Sequence, residues 1–205
     1  MSIFEYNGAA VVAMAGKNCV AIGSDLRLGV QFQTLACDYK KVYPIHDHLY
    51  LGLAGLGTDT QTLFQKFKFH HNIYRLKEER DIKPSTFAQF VSSTLYSKRF
   101  GPWFVSPVIA GLEPGTWTPY LCGMDSLGAI ETAPDFMVAG TAPDSLYGMC
   151  ESMHKPDLEP EELFEVLSQC LLAGTDRDAI SGWGAIVHVI TKDQVITRTL
   201  KGRMD

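Results

Sequence analysis

The amino-acid sequence predicts an α+β fold: two antiparallel sheets stacked face to face between helix layers, a four-layer αββα sandwich. Two observations point to it. Strand-like and helix-like stretches come in separate runs (strands, two helices, strands, two helices, strands), and such segregation favours a layered α+β domain over a doubly wound one. Two sheets face to face with helices on both outsides would also cover every apolar face that these runs present. The chain has 205 residues, of which 46% are hydrophobic. That suits one domain, residues 1–205, able to bury roughly 70% of the surface its unfolded form exposes, without disulfides or a structural metal.

The elements follow in order. Ala9 to Met14 is a short apolar run, Gly16, Lys17 and Asn18 offer a turn, and Cys19 to Ile22 resumes as the second strand of a hairpin. Leu35 to Tyr43 and Leu49 to Leu53 read as two further strands. Thr58, with Gln61 three residues on, predicts a capping box opening a long helix that carries Leu63, Phe64, Phe67 and Ile73 along one face. Pro84 and Ser85 open a second helix, in which Phe87, Phe90, Val91, Leu95 and Tyr96 recur at helical spacing. VSPVIAGL and TPYLCGMD form a hairpin across EPGTW. Phe136 to Ala139 is a strand, and Ser145 to Met153 and Glu159 to Leu172 are helices. Trp183 to Ile190 and Val195 to Leu200 are closing strands, joined by the polar turn Lys192–Asp193.

Composition excludes several classes of function. A net charge of -5 argues against a nucleic-acid binder that works by broad phosphate neutralisation. The start, MSIFEYNG, lacks the basic and apolar regions of a signal peptide, and no run of 18 apolar residues predicts a membrane span. Cys19, Cys37, Cys122, Cys150 and Cys170 are odd in number, widely spaced and without a C-x-x-C pair. They read as reduced thiols of the cytoplasm or nucleus, packed as small core residues. His46, His48, His70 and His71 lack a third ligand at a telling spacing and read as solvated surface residues, so neither a metal nor any other cofactor is expected. Gly52 to Gly57 resembles a phosphate-cradling loop, and a nucleotide-binding α/β protein is the alternative it raises. But it lacks the G-K-[ST] ending, and a tight turn into the helix fits it better.

Three pieces stand out together: Gly23-Ser24-Asp25-Leu26-Arg27, Lys40-Lys41, and Asp176-Arg177-Asp178-Ala179-Ile180-Ser181-Gly182. Asp25 lies sixteen residues before Lys41 and sixteen after Ala9. With GSDLR, the spaced KKV, the LAGLGTD turn and RDAISG, the chain resembles the beta subunits of the proteasome core particle, a branch of the N-terminal-nucleophile hydrolases. YNGA, KRFGPW, PVIAGL, YGMCES and TRTLKGRMD extend the resemblance over essentially the whole length.

The resemblance implies a site. In catalytic members a propeptide is cut after a glycine, and the exposed threonine attacks the peptide carbonyl, with its own amine or a nearby water as base. Carried over, Gly8 matches the glycine before the cut and Ala9 falls on the threonine. Asp25 and Lys41 fall on the aspartate–lysine pair, and Gly55 on the glycine whose N–H stabilises the oxyanion. Asp178 and Ser181 match a late aspartate and serine, and Thr141 falls near a further serine. Alanine has no oxygen with which to attack, so the expectation is a silent subunit that keeps residues 1–8 as a short N-terminal extension. The implied partners are other beta subunits in a seven-membered ring, the opposite beta ring and an alpha ring. The implied pathway is ubiquitin-dependent degradation in the cytoplasm and nucleus. A silent subunit of this kind also forms one wall of the substrate pocket of a catalytic neighbour that cuts after basic residues, with Asp125, and Cys122 beside it, as candidates. Phe64, Phe67, Phe69, Trp103 and Trp117 are candidates for ring contacts, and Arg198, Lys201 and Arg203 for a basic patch.

Overall fold

In the computed structural model, which describes residues 2–204, the elements run in chain order as follows. After a 3-10 turn (Ile3–Glu5) come strands β1 (Ala10–Gly16), β2 (Cys19–Asp25), β3 (Leu28–Val30), β4 (Gln33–Ala36), β5 (Val42–His46) and β6 (Leu49–Gly55). Helices α1 (Gly57–Glu78) and α2 (Pro84–Tyr96) precede β7 (Val105–Leu112), β8 (Pro119–Met124), β9 (Ile130–Thr132) and β10 (Phe136–Gly140). Then α3 (Pro143–Met153) and α4 (Pro160–Thr175) lead to β11 (Ala185–Ile190) and β12 (Val195–Leu200). Met1 and Asp205, the ends of the expected domain, lie outside the described residues.

The strands form two five-stranded antiparallel sheets, ordered β10-β1-β2-β11-β12 and β5-β6-β7-β8-β9, with β3–β4 as a separate hairpin. Side chains alternate between the faces of a strand, and here both faces are buried. Along β1, Ala10, Val12 and Met14 pack with Leu146, Leu163, Leu167 and Leu171 of α3 and α4, while Val11 and Ala13 pack with Val42, Val108 and Leu121 of the other sheet. Leu49, Leu51 and Leu53 of β6 turn the opposite way, onto Leu63 and Phe67 of α1 and Phe87 and Val91 of α2. Three buried clusters between four layers result, and the expected αββα sandwich is what the chain forms. The sheets meet closely where Gly52 faces Val11, since a Cβ on Gly52 would lie 2.6 Å from the valine side chain.

Local chemistry sets the helix ends. Pro84 and Pro160 stand in first turns, where a missing N–H leaves no bond unmade. Glu159 and Glu162 cap the start of α4 reciprocally, and the Ser85 N–H donates to Glu113 Oε1 at 3.0 Å. The capping box expected at Thr58 and Gln61 is absent. α1 begins at Gly57 with Leu56 as N-cap, whose side chain has no acceptor to offer; the Gly57 N–H is taken by Asn7 Oδ1 at 2.8 Å instead, and Asp59 of the first turn accepts from the Phe104 N–H at 2.9 Å.

Other expectations are corrected. Leu35 to Tyr43 is not one strand: residues 37–41 are loop, and β3–β4 turns at Gln31 in the left-handed region (φ 56°) without a glycine to signal it. Gly52 to Gly55 belong to β6 and a single residue, Leu56, separates them from α1, which leaves no loop to cradle a phosphate. Cys37 is exposed, unlike the other four thiols. His71 is buried on the inner stripe of α1 and stacks on half-buried His46, so these two are not solvated. Phe67 is core, not a surface contact. Arg198 forms a two-bond pair with Glu161 at 2.7 Å and lies over the Phe164 ring, instead of joining a basic patch. No helix among the described residues is long and apolar enough to cross a membrane.

Candidate functional site

The densest polar cluster in the core lies where β1, β2 and the loop before β11 converge. Asp25 ends β2 fully buried, and its carboxylate gathers four donors. The Ala10 N–H reaches Oδ1 at 2.9 Å, the Gly182 and Arg27 N–H groups reach Oδ2 at 3.1 and 3.3 Å, and Lys41 Nζ sits 2.9 Å from Oδ1. Lys41 projects inward from the loop before β5, 3% exposed, and also donates to the Arg27 carbonyl at 2.7 Å. Burial pulls its ammonium below the usual lysine pKa, and the attraction of Asp25 only partly offsets this.

Arg27 was legible only as part of GSDLR, yet it is the largest fully buried side chain. Its guanidinium donates to Thr34 Oγ1 (2.9 Å), the Ile180 carbonyl (2.8 Å) and the Gln31 carbonyl (3.0 Å), which ties the β3–β4 hairpin to the loop before β11. Gly29 makes room for it, since a Cβ there would meet the guanidinium at 2.3 Å.

Ala9 stands at the head of β1, 2% exposed, beside a second polar group. Thr141 Oγ1 lies 2.6 Å from Asp178 Oδ2 and 3.0 Å from the Ala9 carbonyl, and Ser181 Oγ lies 2.6 Å from the same Asp178 oxygen. Each hydroxyl has one proton, and a carboxylate is the stronger acceptor, so both are held as donors to Asp178. Gly8 precedes Ala9 at φ +73°, with no room for a side chain against the Ile180 carbonyl. Gly55 ends β6 at φ +122°, a conformation that glycine adopts without strain. The structure thus brings Ala9, Asp25 and Lys41 together through Ala10, and Ala9, Thr141, Asp178 and Ser181 through hydrogen bonds. An ammonium, two carboxylates and two hydroxyls are thus tied to the backbone of Ala9 and Ala10, and Ala9 itself carries only a methyl group.

Asn7 is the residue that sequence reasoning passed over. Its amide accepts from the Gly57 N–H at 2.8 Å and donates to the Gly29 carbonyl at 2.9 Å. The available signal was its place in YNGA. Ser2, the one serine or threonine before Ala9, caps the 3-10 turn by accepting from the Phe4 N–H. Asp125 lies elsewhere, exposed on the turn after β8, with Oδ1 accepting from the Leu127 and Ala129 N–H groups at 2.9 and 2.8 Å. Beside it is a groove of about 440 Å³ that it lines with Glu131, Met137 and Tyr147. Cys122 points the other way, fully buried against α2, where desolvation raises its thiol to about 11. No group of three or more His, Cys, Asp or Glu among the described residues could hold a metal ion.

Comparison with known proteins now gives this framework a family. The model of the proteasome subunit family matches residues 5–190, and the chain belongs to that family. Within it, the chain is similar to beta type-3 subunits from end to end. It is 63% identical to "Proteasome subunit beta type-3" of Picea mariana and 62% identical to "Proteasome subunit beta type-3-B" of Arabidopsis thaliana. It is 52% identical to the beta type-3 subunit of Drosophila melanogaster, and each match covers 100% of both chains.

Proposed function

We propose that this chain is a non-catalytic, structural subunit of the beta ring of the proteasome core, at work in the cytoplasm and nucleus in ubiquitin-dependent protein degradation. Its partners are the other beta subunits of a seven-membered ring, the opposite beta ring and the adjoining alpha ring. One observation carries the reading: Ala9 stands where the hydrogen-bonded framework of Asp25, Lys41, Thr141, Asp178 and Ser181 would present a nucleophile. A methyl group cannot attack a carbonyl, nor cut the chain after Gly8. Residues 2–8 therefore remain on the mature subunit, and Asp25 and Lys41 serve the fold.

Two measurements on the isolated particle test this. Intact-mass analysis should give a chain still carrying the residues before Ala9, and a mass beginning at Ala9 would overturn the reading. An electrophile directed at N-terminal threonine should leave this chain unlabelled while labelling catalytic neighbours, and a labelled chain would overturn it equally. The subunit also contributes Asp125 to the wall of a neighbour's pocket for basic side chains. Exposure of Asp125 beside Glu131 supports that role, whereas buried Cys122 is held away from any such wall.

A further inference from the structure

Four of the thiols are buried, and two of these stand opposite each other. A short link, residues 154–159, joins α3 to α4, and helices connected so briefly pack as antiparallel neighbours. Their backbones come close where Gly174 meets Leu146: a Cβ on Gly174 would lie 2.2 Å from Leu146 Cδ2 and 3.6 Å from its Cα. Residues four apart share a helix face. One turn on from Leu146 along α3 is Cys150, and one turn back from Gly174 along α4 is Cys170. In an antiparallel pair those two steps lead the same way, so Cys150 and Cys170 meet one turn beyond the glycine contact. Both are fully buried, in the cluster that also holds Leu146, Leu167 and Leu171. Each thiol acts on the other. A hydrogen bond from Cys150 holds Cys170 below the usual thiol pKa against the opposing effect of burial, and Cys150 is pushed up. Cys19 and Cys122 differ: their neighbours are the Leu158 and Gly123 carbonyls, both at 3.8 Å, and burial raises each thiol to about 11.

A thiol reacts as its thiolate, and only where an oxidant reaches it. Helix α3 supplies the access. Of its 11 residues only Leu146 and Cys150 are buried, whereas α4 buries seven, and its N-cap Ala142 makes no side-chain cap bond. So little holds α3 down that it opens locally before the sandwich does, and each opening uncovers both sulfurs. We propose that Cys150 and Cys170 form a redox-sensitive pair, reduced at rest and joined by a peroxide into a disulfide that staples α3 to α4. The Cys170 thiolate attacks one peroxide oxygen, the O–O bond breaks, and the released hydroxide takes up the thiol proton and leaves as water. The Cys150 sulfur then attacks the sulfenic acid left on Cys170. The S–S bond forms, the S–O bond breaks, and the oxygen departs with the Cys150 proton as a second water. Two thiols thereby lose two electrons, and one peroxide is reduced to two waters. A dithiol reductant reverses the step by exchange, which fits the transient, redox-sensing disulfides of cytoplasmic proteins.

The test exposes the isolated particle to hydrogen peroxide, raised until the exposed thiol of Cys37 is oxidised. Free thiols are blocked as the particle is denatured, and disulfides are mapped by non-reducing digestion and mass spectrometry. A peptide linking Cys150 to Cys170 should appear and should vanish with dithiothreitol, while Cys19 and Cys122 stay free. Hydrogen–deuterium exchange on the same samples should show the α3 amides slowed at least about tenfold by peroxide, with the Val12 and Ile22 amides of the sheet unchanged. Cys150→Ala and Cys170→Ala should each abolish that slowing, and the wild-type result holds whether or not either variant assembles. Cys150 and Cys170 still free when Cys37 is oxidised, a sulfinic acid on Cys170 in place of the disulfide, or a bond from either to another cysteine overturns the pair. A linked peptide with no slowing of exchange in α3 overturns the staple.

Discussion

Taking away Lys41 leaves Asp25 charged and fully buried, with three N–H donors but no ion-pair partner, the Arg27 guanidinium acting on it only through space. Breaking a buried pair in this way costs roughly 3–5 kcal/mol. Lys41→Ala should lower the denaturation midpoint accordingly, and Lys41→Met combined with Asp25→Asn should recover part of the loss because neither charge remains. A Lys41→Ala subunit as stable as the wild type, and assembling normally, would count against a structural role for the pair. His188 gives a pH dependence. Burial between the sheets, with Lys40 adding repulsion, holds its pKa down to about 4, and its Nε2 has no partner to take a proton. The unfolded chain binds that proton below its ordinary value of 6.5 and the folded chain does not, so stability is full above about pH 6.5 and falls toward pH 4. The displacement is worth about 3 kcal/mol. Unfolding curves of His188→Gln across this range should be flatter by that amount. At this scale, Asp25 and Lys41 were legible through their spacing and Asn7 was not, because a polar residue before a glycine looks like any turn.

Among elements, the long apolar strands and the proline-started helices were legible, since burial of both faces and a fixed φ leave clear marks in sequence. The β3–β4 hairpin was not, because its turn uses Gln31 and its burial alternates weakly. Its position comes from Arg27 beneath it, a tertiary cause that local pattern does not carry. The α3–α4 contact was equally silent. Gly174 of α4 lies against fully buried Leu146 of α3, and a Cβ there would come within 2.2 Å of the leucine. Gly174→Ala should therefore destabilise by about 1–3 kcal/mol through overpacking, despite alanine's better helix propensity. Thermal unfolding should show it, and Leu146→Val alongside should restore part of the midpoint.

On the scale of the whole molecule, Phe32, Leu35, Leu76 and Phe100 stand out in solvent, each more than half exposed, as suits a subunit that ends its folding among neighbours. Within the particle, Asp125→Asn should lower kcat/KM for cleavage after basic residues by about 1 kcal/mol, or roughly fivefold, with other specificities unchanged. Unchanged cleavage after basic residues would remove Asp125 from the pocket. The Asp25 carboxylate also has a consequence in time. Its bond from the Gly182 N–H spans 157 residues, and β2 pairs along its length with β11. As the chain leaves the ribosome, β2 keeps an open edge until β11 (Ala185–Ile190) emerges, long after β2 itself. A subunit ordered around its first fifty residues thus stays unfinished until its final strands arrive, and in that interval the edge needs shielding from other open strands.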